Sequence, residues 1–158
     1  MRKHPSALAM LTTTAQHTLY TDVYERRHIE ACGLLLGKRT DLENWHIEGV
    51  HPLPNTCNSP IYFEFAPEDL LSAELAYPGQ IIGVYHSHPG GLTVASNTDR
   101  ENMKRVNNEQ QIPWIWFIVC GPFNGSFKRD DEQLTKSRTI AYHHYDTLGL
   151  QQITLKFE

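Results

Sequence analysis

Four residues close together in this sequence carry groups that could serve a single chemical purpose, namely His86, His88, Ser96 and Asp99, all within the stretch I-I-G-V-Y-H-S-H-P-G-G-L-T-V-A-S-N-T-D that begins at Ile81. Ile81, Ile82, Val84 and Tyr85 read as a buried strand, entered from the turn Pro78, Gly79, Gln80 and ended by Pro89, Gly90, Gly91. The two histidines therefore fall at its C-terminal end. Side chains at i and i+2 of a strand share a face, so the imidazoles of His86 and His88 can converge on one ion while Ser87 points the other way. Ser96 with Asp99 three residues later reads as a capped helix start, which puts the carboxylate in the first turn, near the strand end. Two neutral imidazoles and one carboxylate fill three corners of a zinc tetrahedron and leave the fourth for water, the arrangement of a catalytic rather than a structural site. Singly, each feature has a plainer explanation: an H-x-H at a strand end is more often a polar edge, and Ser-x-x-Asp is usually only a capping box. The composite order is what points to a metal.

These residues also carry a resemblance. H-S-H-P followed by S-x-x-D, with E-x-C-G-L-L-L-G upstream from Glu30 to Gly37, resembles the JAMM (MPN-plus) zinc metalloproteases of compact prokaryotic type, from about residue 10 to residue 121. The resemblance implies an α/β fold: a JAMM, cytidine-deaminase-like sandwich with a mixed β-sheet flanked by helices. It implies one Zn2+ held by His86, His88 and Asp99, with Glu30 as the general base that takes a proton from the zinc water and returns it to the leaving amine. On local sequence alone Glu30 would be a solvated strand boundary. Ser96 would help stabilise the tetrahedral oxyanion, although its hydroxyl could instead be spent on capping the helix that carries Asp99. Two positions depart from the family pattern: Ala95 stands where proline usually precedes the motif serine, and His28 with Ile29 replaces a frequent proline near the glutamate. Both would loosen the loops that position Ser96 and Glu30.

The resemblance further implies a protein substrate. Family members of this size resemble proteases that cut after the C-terminal glycine tail of a ubiquitin-like or sulfur-carrier protein, in precursor processing or deconjugation. Two other readings compete: a cell-wall or phage-tail peptidase of the same family, and a non-catalytic MPN scaffold that binds partners without cutting.

Composition bounds these readings. The 158 residues, 40% hydrophobic and 20% charged, suit one globular domain over 1–158 with a weak or flexible stretch at 1–10. A formal net charge of −4 lacks the basic footprint of a nucleic-acid binder. The longest apolar runs, 31–37 and 112–121, fall short of the roughly 18 residues a spanning helix requires, and Thr12, Thr13 and Thr14 interrupt a weakly signal-like start, so a cytoplasmic location is expected. Cys32, Cys57 and Cys120 are odd in number with no C-x-x-C, which argues against a disulfide framework and against cysteine-ligated zinc. The absence of P-C-x-x-C and H-E-x-x-H removes zinc deaminases and helix-borne zincins.

The elements that must position the site follow from periodicity. Leu11, Ala15, Leu19 and Val23 form a helical stripe over 11–26, and 31–37 is apolar on both faces, as a central strand would be. A half-exposed strand is expected over 45–52, then a polar loop over 54–60 and a further strand over 61–65. A helix over 66–77 would bury Leu70, Leu71, Ala73, Leu75 and Ala76, and a polar surface helix over 98–108 would hold Asp99. The run 113–120 is a buried strand, with two weaker strands expected over 134–145 and 151–157. His143 and His144 are adjacent, so they face opposite sides of any strand and make poor additional ligands.

Overall fold

Ile115, Phe117 and Val119 face one apolar cluster and Trp116, Ile118 and Cys120 the other, along an extended segment in which every residue is buried. A strand of this kind needs cover on both faces. The computed structural model describes residues 2–41 and 43–158. It contains seven strands, β1 (Lys3–Leu11), β2 (Cys32–Asp41), β3 (Asn44–Leu53), β4 (Ile81–His88), β5 (Ile115–Cys120), β6 (Thr139–Tyr145) and β7 (Gly149–Phe157), with helices α1 (Thr13–Glu25), α2 (Pro67–Ala76), α3 (Asn97–Lys104) and α4 (Glu132–Ser137). The strands form a mixed sheet in the order β1-β3-β2-β4-β5-β6-β7, which curls until β1 pairs in parallel with β7 as well as with β3. The expected mixed sheet with flanking helices is present, and its closure into a barrel is what periodicity could not show. Among the described residues no helix is long and apolar enough to cross a membrane.

Helix α1 covers one face of the sheet, burying Ala15, Leu19, Tyr20, Val23 and Tyr24 against Phe117, Val119 and Tyr85. On the other face Ala73 of α2 and Met103 of α3 meet Leu34, Val84, Trp116 and Ile118. His86 and His88 share the parity of Val84, so they project towards α3, and Ser87 shares that of Tyr85.

The C-terminal end of α1 is bound tightly to the strands beside the site. Arg26 grips Asp22 through two contacts of 2.8 and 2.7 Å and donates to the carbonyls of Cys32 and Leu53, each at 2.7 Å. Tyr85 donates to the same Asp22 carboxylate at 2.6 Å. The basic helix end thus does more than complement the helix dipole: a planar, five-donor guanidinium joins the first residue of β2 to the last of β3.

Several expectations are corrected. Residues 3–10, placed in a weak or flexible stretch, form β1 together with Leu11, which the helical stripe had claimed, because the barrel has a gap between β3 and β7 that this strand fills. Met1 lies outside the described residues. The strand expected over 61–65 does not form. Its alternation survives, with Tyr62 and Glu64 outward and Phe63 and Phe65 inward, but the closed barrel offers it no partner. The stretch 134–145 is split: α4 takes its first part, and only Thr139–Tyr145 finds partners, in β5 and β7. Leu71 and Leu75 of α2 are exposed at 55% and 74%, and Ala76 is exposed too, since among the described residues that short helix reaches the core through Ala73 and Leu70. The polar helix ends at Lys104 and continues as one π-turn, Arg105–Glu109, whose Asn107 reaches in to the Ile112 and Trp114 carbonyls and the Trp116 indole.

Gly33 sits where β3 and β4 both close on β2. A Cβ there would lie 2.6 Å from the Tyr85 ring and overlap the His51 carbonyl oxygen. Gly33→Ala is expected to lower stability by at least about 2 kcal/mol through this overpacking, read as a lower denaturant midpoint at unchanged slope.

Candidate metal centre

The end of β4 and the start of α3 hold the candidate site, and each is fixed by its own hydrogen bonds. Ser96 is the N-cap of α3: its Oγ accepts from the Asp99 amide at 3.0 Å, and Asp99 Oδ2 accepts from the Ser96 amide at 2.9 Å. This reciprocal box leaves the Asp99 carboxylate facing the strand end. There Asp99 Oδ1 lies 3.1 Å from His86 Nε2, Oδ2 lies 3.0 Å from His88 Nε2, and the two Nε2 atoms are 3.1 Å apart. All three residues are buried. His88 Nδ1 lies 2.9 Å from the Leu92 carbonyl, to which it can only donate, so the neutral ring presents a bare lone pair at Nε2. Three donors about 2 Å from one tetrahedral ion stand about 3.3 Å apart. The two Nε2 atoms stand close to that spacing, each has one of the two Asp99 oxygens equally near, and with one ligand atom taken from each residue the set lies within 4.8 Å and could hold a metal ion.

Glu30 reaches the same place from the start of β2. It is 5% exposed, and its main chain is held on both sides. The Glu30 amide donates to the Ser59 carbonyl at 2.8 Å, and its carbonyl accepts from the Asn55 side chain at 3.1 Å. The next amide, of Ala31, donates to Ser87 Oγ at 2.9 Å, and the Ser87 amide returns a bond of 2.9 Å to the Ala31 carbonyl. Ser87, the residue between the two histidines, thus points away from them and ties the segment that carries Glu30 to β4. Glu30, His88, Ser96, Pro60, Ile61 and Tyr62 line a cleft of about 330 Å³. The five residues singled out from sequence are therefore brought together, and His143 is not among them. It is buried elsewhere, with Nδ1 2.8 Å from the Trp114 carbonyl, and burial pushes its pKa down to about 4.

Burial alone would lower the His88 pKa, but the contacts to Asp99, Cys120 and the Leu92 carbonyl raise it to about 10. In His86 burial prevails over Asp99, and the pKa falls. Burial would raise that of Asp99, yet the two imidazoles hold it well below the usual carboxylate range. Glu30 is pushed up to about 8 by burial, the charge on His88 opposing and that on Asp99 adding. Such shifts mark groups whose environment is built for something other than solvent.

Two contributors escaped sequence reasoning. Asn55 was one of several polar residues in a loop with no period, indistinguishable there from Asn58. Phe63 stacks on the His86 ring with centroids 4.6 Å apart and planes at 25°, and an aromatic residue in an expected strand gave no sign of that role.

A mixed α/β barrel with an H-x-H strand end facing the aspartate of a capped helix defines a JAB/MPN-type protein. The chain belongs to the family described as prokaryotic homologs of the JAB domain, whose profile matches residues 13–134. It is 37% identical over 94 residues to the desampylase of Pyrococcus furiosus, covering 58% of this chain and 59% of that protein, and 31% identical over 97 residues to the desampylase of Haloferax volcanii, covering 59% and 63%. The chain thus spans about three fifths of the length of these relatives. It is also 41% identical over 56 residues to tail tip assembly protein K of Escherichia phage lambda, covering 35% of this chain and 25% of that protein. Among solved structures, a protein from Desulfitobacterium hafniense matches with a TM-score of 0.66 at 20% identity, covering 95% of this chain and 92% of that one. A JAB1/MPN domain protein from Archaeoglobus fulgidus matches with a TM-score of 0.54 at 16% identity, covering 94% and 97%. At these identities the likeness to solved structures concerns the fold.

With its pKa near 10, His88 in the metal-free protein carries a proton at neutral pH that a metal must displace. Because the proton competes with the ion, affinity rises with pH: the apparent zinc affinity is expected to increase about tenfold per unit between pH 6 and 8, with release of about one proton. Calorimetry in buffers of different ionisation enthalpy checks this, and a flat profile contradicts it.

Proposed function

We propose that this chain is a zinc-dependent peptidase that hydrolyses the bond following the C-terminal glycine tail of a ubiquitin-like or sulfur-carrier protein. The observation that carries the reading is the cluster of three donor residues, one of which, His88, lines the same cleft as Glu30 and Ser96. The similarity to two proteins named desampylases supports a deconjugating reaction. In this reading His86, His88 and Asp99 hold one zinc ion, which when bound polarises a carbonyl and brings a water within reach of deprotonation near neutral pH.

The remaining steps fall to the chain's own residues. Glu30, enclosed and with a raised pKa, takes the proton of the attacking water as its charged form is favoured by the nearby cation, and hands it to the leaving amine. Ser96 serves two purposes at once. A hydroxyl has two lone pairs and one hydrogen, so accepting the Asp99 amide in the capping box leaves the hydrogen free to donate to a developing oxyanion in the cleft.

The substrate approach follows from the barrel. A closed sheet has no free edge, so an extended tail must find unpaired backbone elsewhere. The stretch 61–65 offers it: the Tyr62 and Phe63 amides and the Phe63 carbonyl have no partner among the described residues, and Tyr62 borders the cleft. Strand addition there would lead small glycines towards the metal. Similarity to a phage tail tip protein favours a second reading, a cell-wall peptidase on the same chemistry. Cleavage of peptidoglycan stem peptides but not of a ubiquitin-like fusion would establish it.

Glu30→Gln is expected to bind zinc like the wild type and lose at least about a hundredfold in kcat; undiminished turnover refutes the base assignment. A fusion in which a bulky residue replaces the terminal glycine of the tail is expected to resist cleavage, and equal cutting of both fusions excludes a narrow approach.

A further inference from the structure

The loop between β3 and α2 has contacts beyond those of a cleft wall. The buried Asn55 side chain donates to the Glu30 carbonyl at 3.1 Å and the Tyr62 carbonyl at 2.8 Å, and accepts from the Cys57 and Glu64 amides at 3.0 and 3.2 Å. Two donors and two lone pairs are the full capacity of a carboxamide, and all four go to backbone groups. Asn55 therefore folds the loop on itself and fastens it to the residue that carries the candidate base, and the Glu30 amide closes the junction through Ser59.

Further along the same loop, Phe63 lies flat on His86. A metal-binding imidazole is ordinarily oriented by an acceptor on its outer nitrogen. His88 has one in the Leu92 carbonyl. His86 does not: its Nδ1 is enclosed and has no hydrogen-bond partner among the described residues. The His88 ring meets it edge-on, at 4.9 Å between centroids, and the Phe63 ring is the one stacked along its face to set the imidazole plane.

We propose that Asn55 and Phe63 are positioning residues of the site, Asn55 fixing the main chain that carries Glu30 and Phe63 fixing the ring of His86. One loop then sets both halves of the site, and a segment laid along it presses on both. The Asn55 arm takes its catalytic meaning from the peptidase reading, whereas the Phe63 arm concerns metal binding alone.

The experiment uses the full chain and zinc itself, titrated against a chromophoric chelator. Phe63→Leu keeps apolar volume and loses the flat face, and it should weaken zinc binding about tenfold or more; Phe63→Tyr should stay within about twofold of the wild type. Should the leucine variant fail to fold, Phe63→Met answers the same question. Wild-type affinity in a folded Phe63→Leu or Phe63→Met variant overturns the Phe63 arm. Asn55→Ala should leave zinc affinity unchanged, speed hydrogen exchange of the Glu30 amide about tenfold or more, and lower kcat with KM little altered. Unchanged exchange at Glu30 overturns the Asn55 arm whether or not a substrate is known. If the wild type cuts no ubiquitin-like fusion, the peptidase reading fails while the zinc and exchange results still decide this one. If it cuts and both variants match it in every readout, the positioning proposal alone fails.

Discussion

Two imidazole nitrogens and the two oxygens of one carboxylate, from two separate elements, crowd together in a buried pocket at contacts of 3.0 to 3.1 Å, and most of the structure follows from making that crowding tolerable. The Nε2 atoms of His86 and His88 and the carboxylate of Asp99 all face inwards. Left to solvent, such groups would turn apart. They remain together because β4 is paired on both sides along its length, β2 on one flank and β5 on the other, and because the capping box gives the Asp99 carboxylate a second duty. The shifted proton affinities of these three groups, and of Glu30 beside them, are one consequence of this confinement.

The confinement is shared among contacts with different directions. Arg26 draws together the first residue of β2 and the last of β3, Ser87 stitches Ala31 to β4, and Asn55 attaches the following loop to Glu30. Each hydrogen bond contributes only about 1 kcal/mol net. Their value lies in geometry, since each removes a different freedom from the segment that presents Glu30. Tyr85 and Asp22 complete the frame from the opposite face of the sheet, so the polar network at the helix end and the donor cluster are back to back across β4.

What sequence could convey divides along physical lines. Continuous apolar runs announced β2, β4 and β5, because strands buried on both faces have nowhere to place polar residues. The i, i+2 rule put both imidazoles on one side, and the S-x-x-D pattern put Asp99 in a first helical turn, since both are local properties of the chain. Closure of the sheet was not legible: β1 is held by partners distant in sequence, and its own residues show only a weak pattern. Residues 61–65 have the alternation of a strand without a neighbour, a case in which periodicity reports burial and not pairing. Asn55 and Phe63 matter because of what lies opposite them in space, which no spacing along the chain encodes.

The parallel seam between β1 and β7 joins strands from near the two extremes of the described chain. One flank of β1 therefore has no permanent neighbour until every intervening element has been made and docked. Contacts of such long sequence separation are reached slowly, after a large entropic cost of loop closure. Refolding should accordingly be limited by sealing of the ring, with the early strand exposed to wrong partners for as long as that takes.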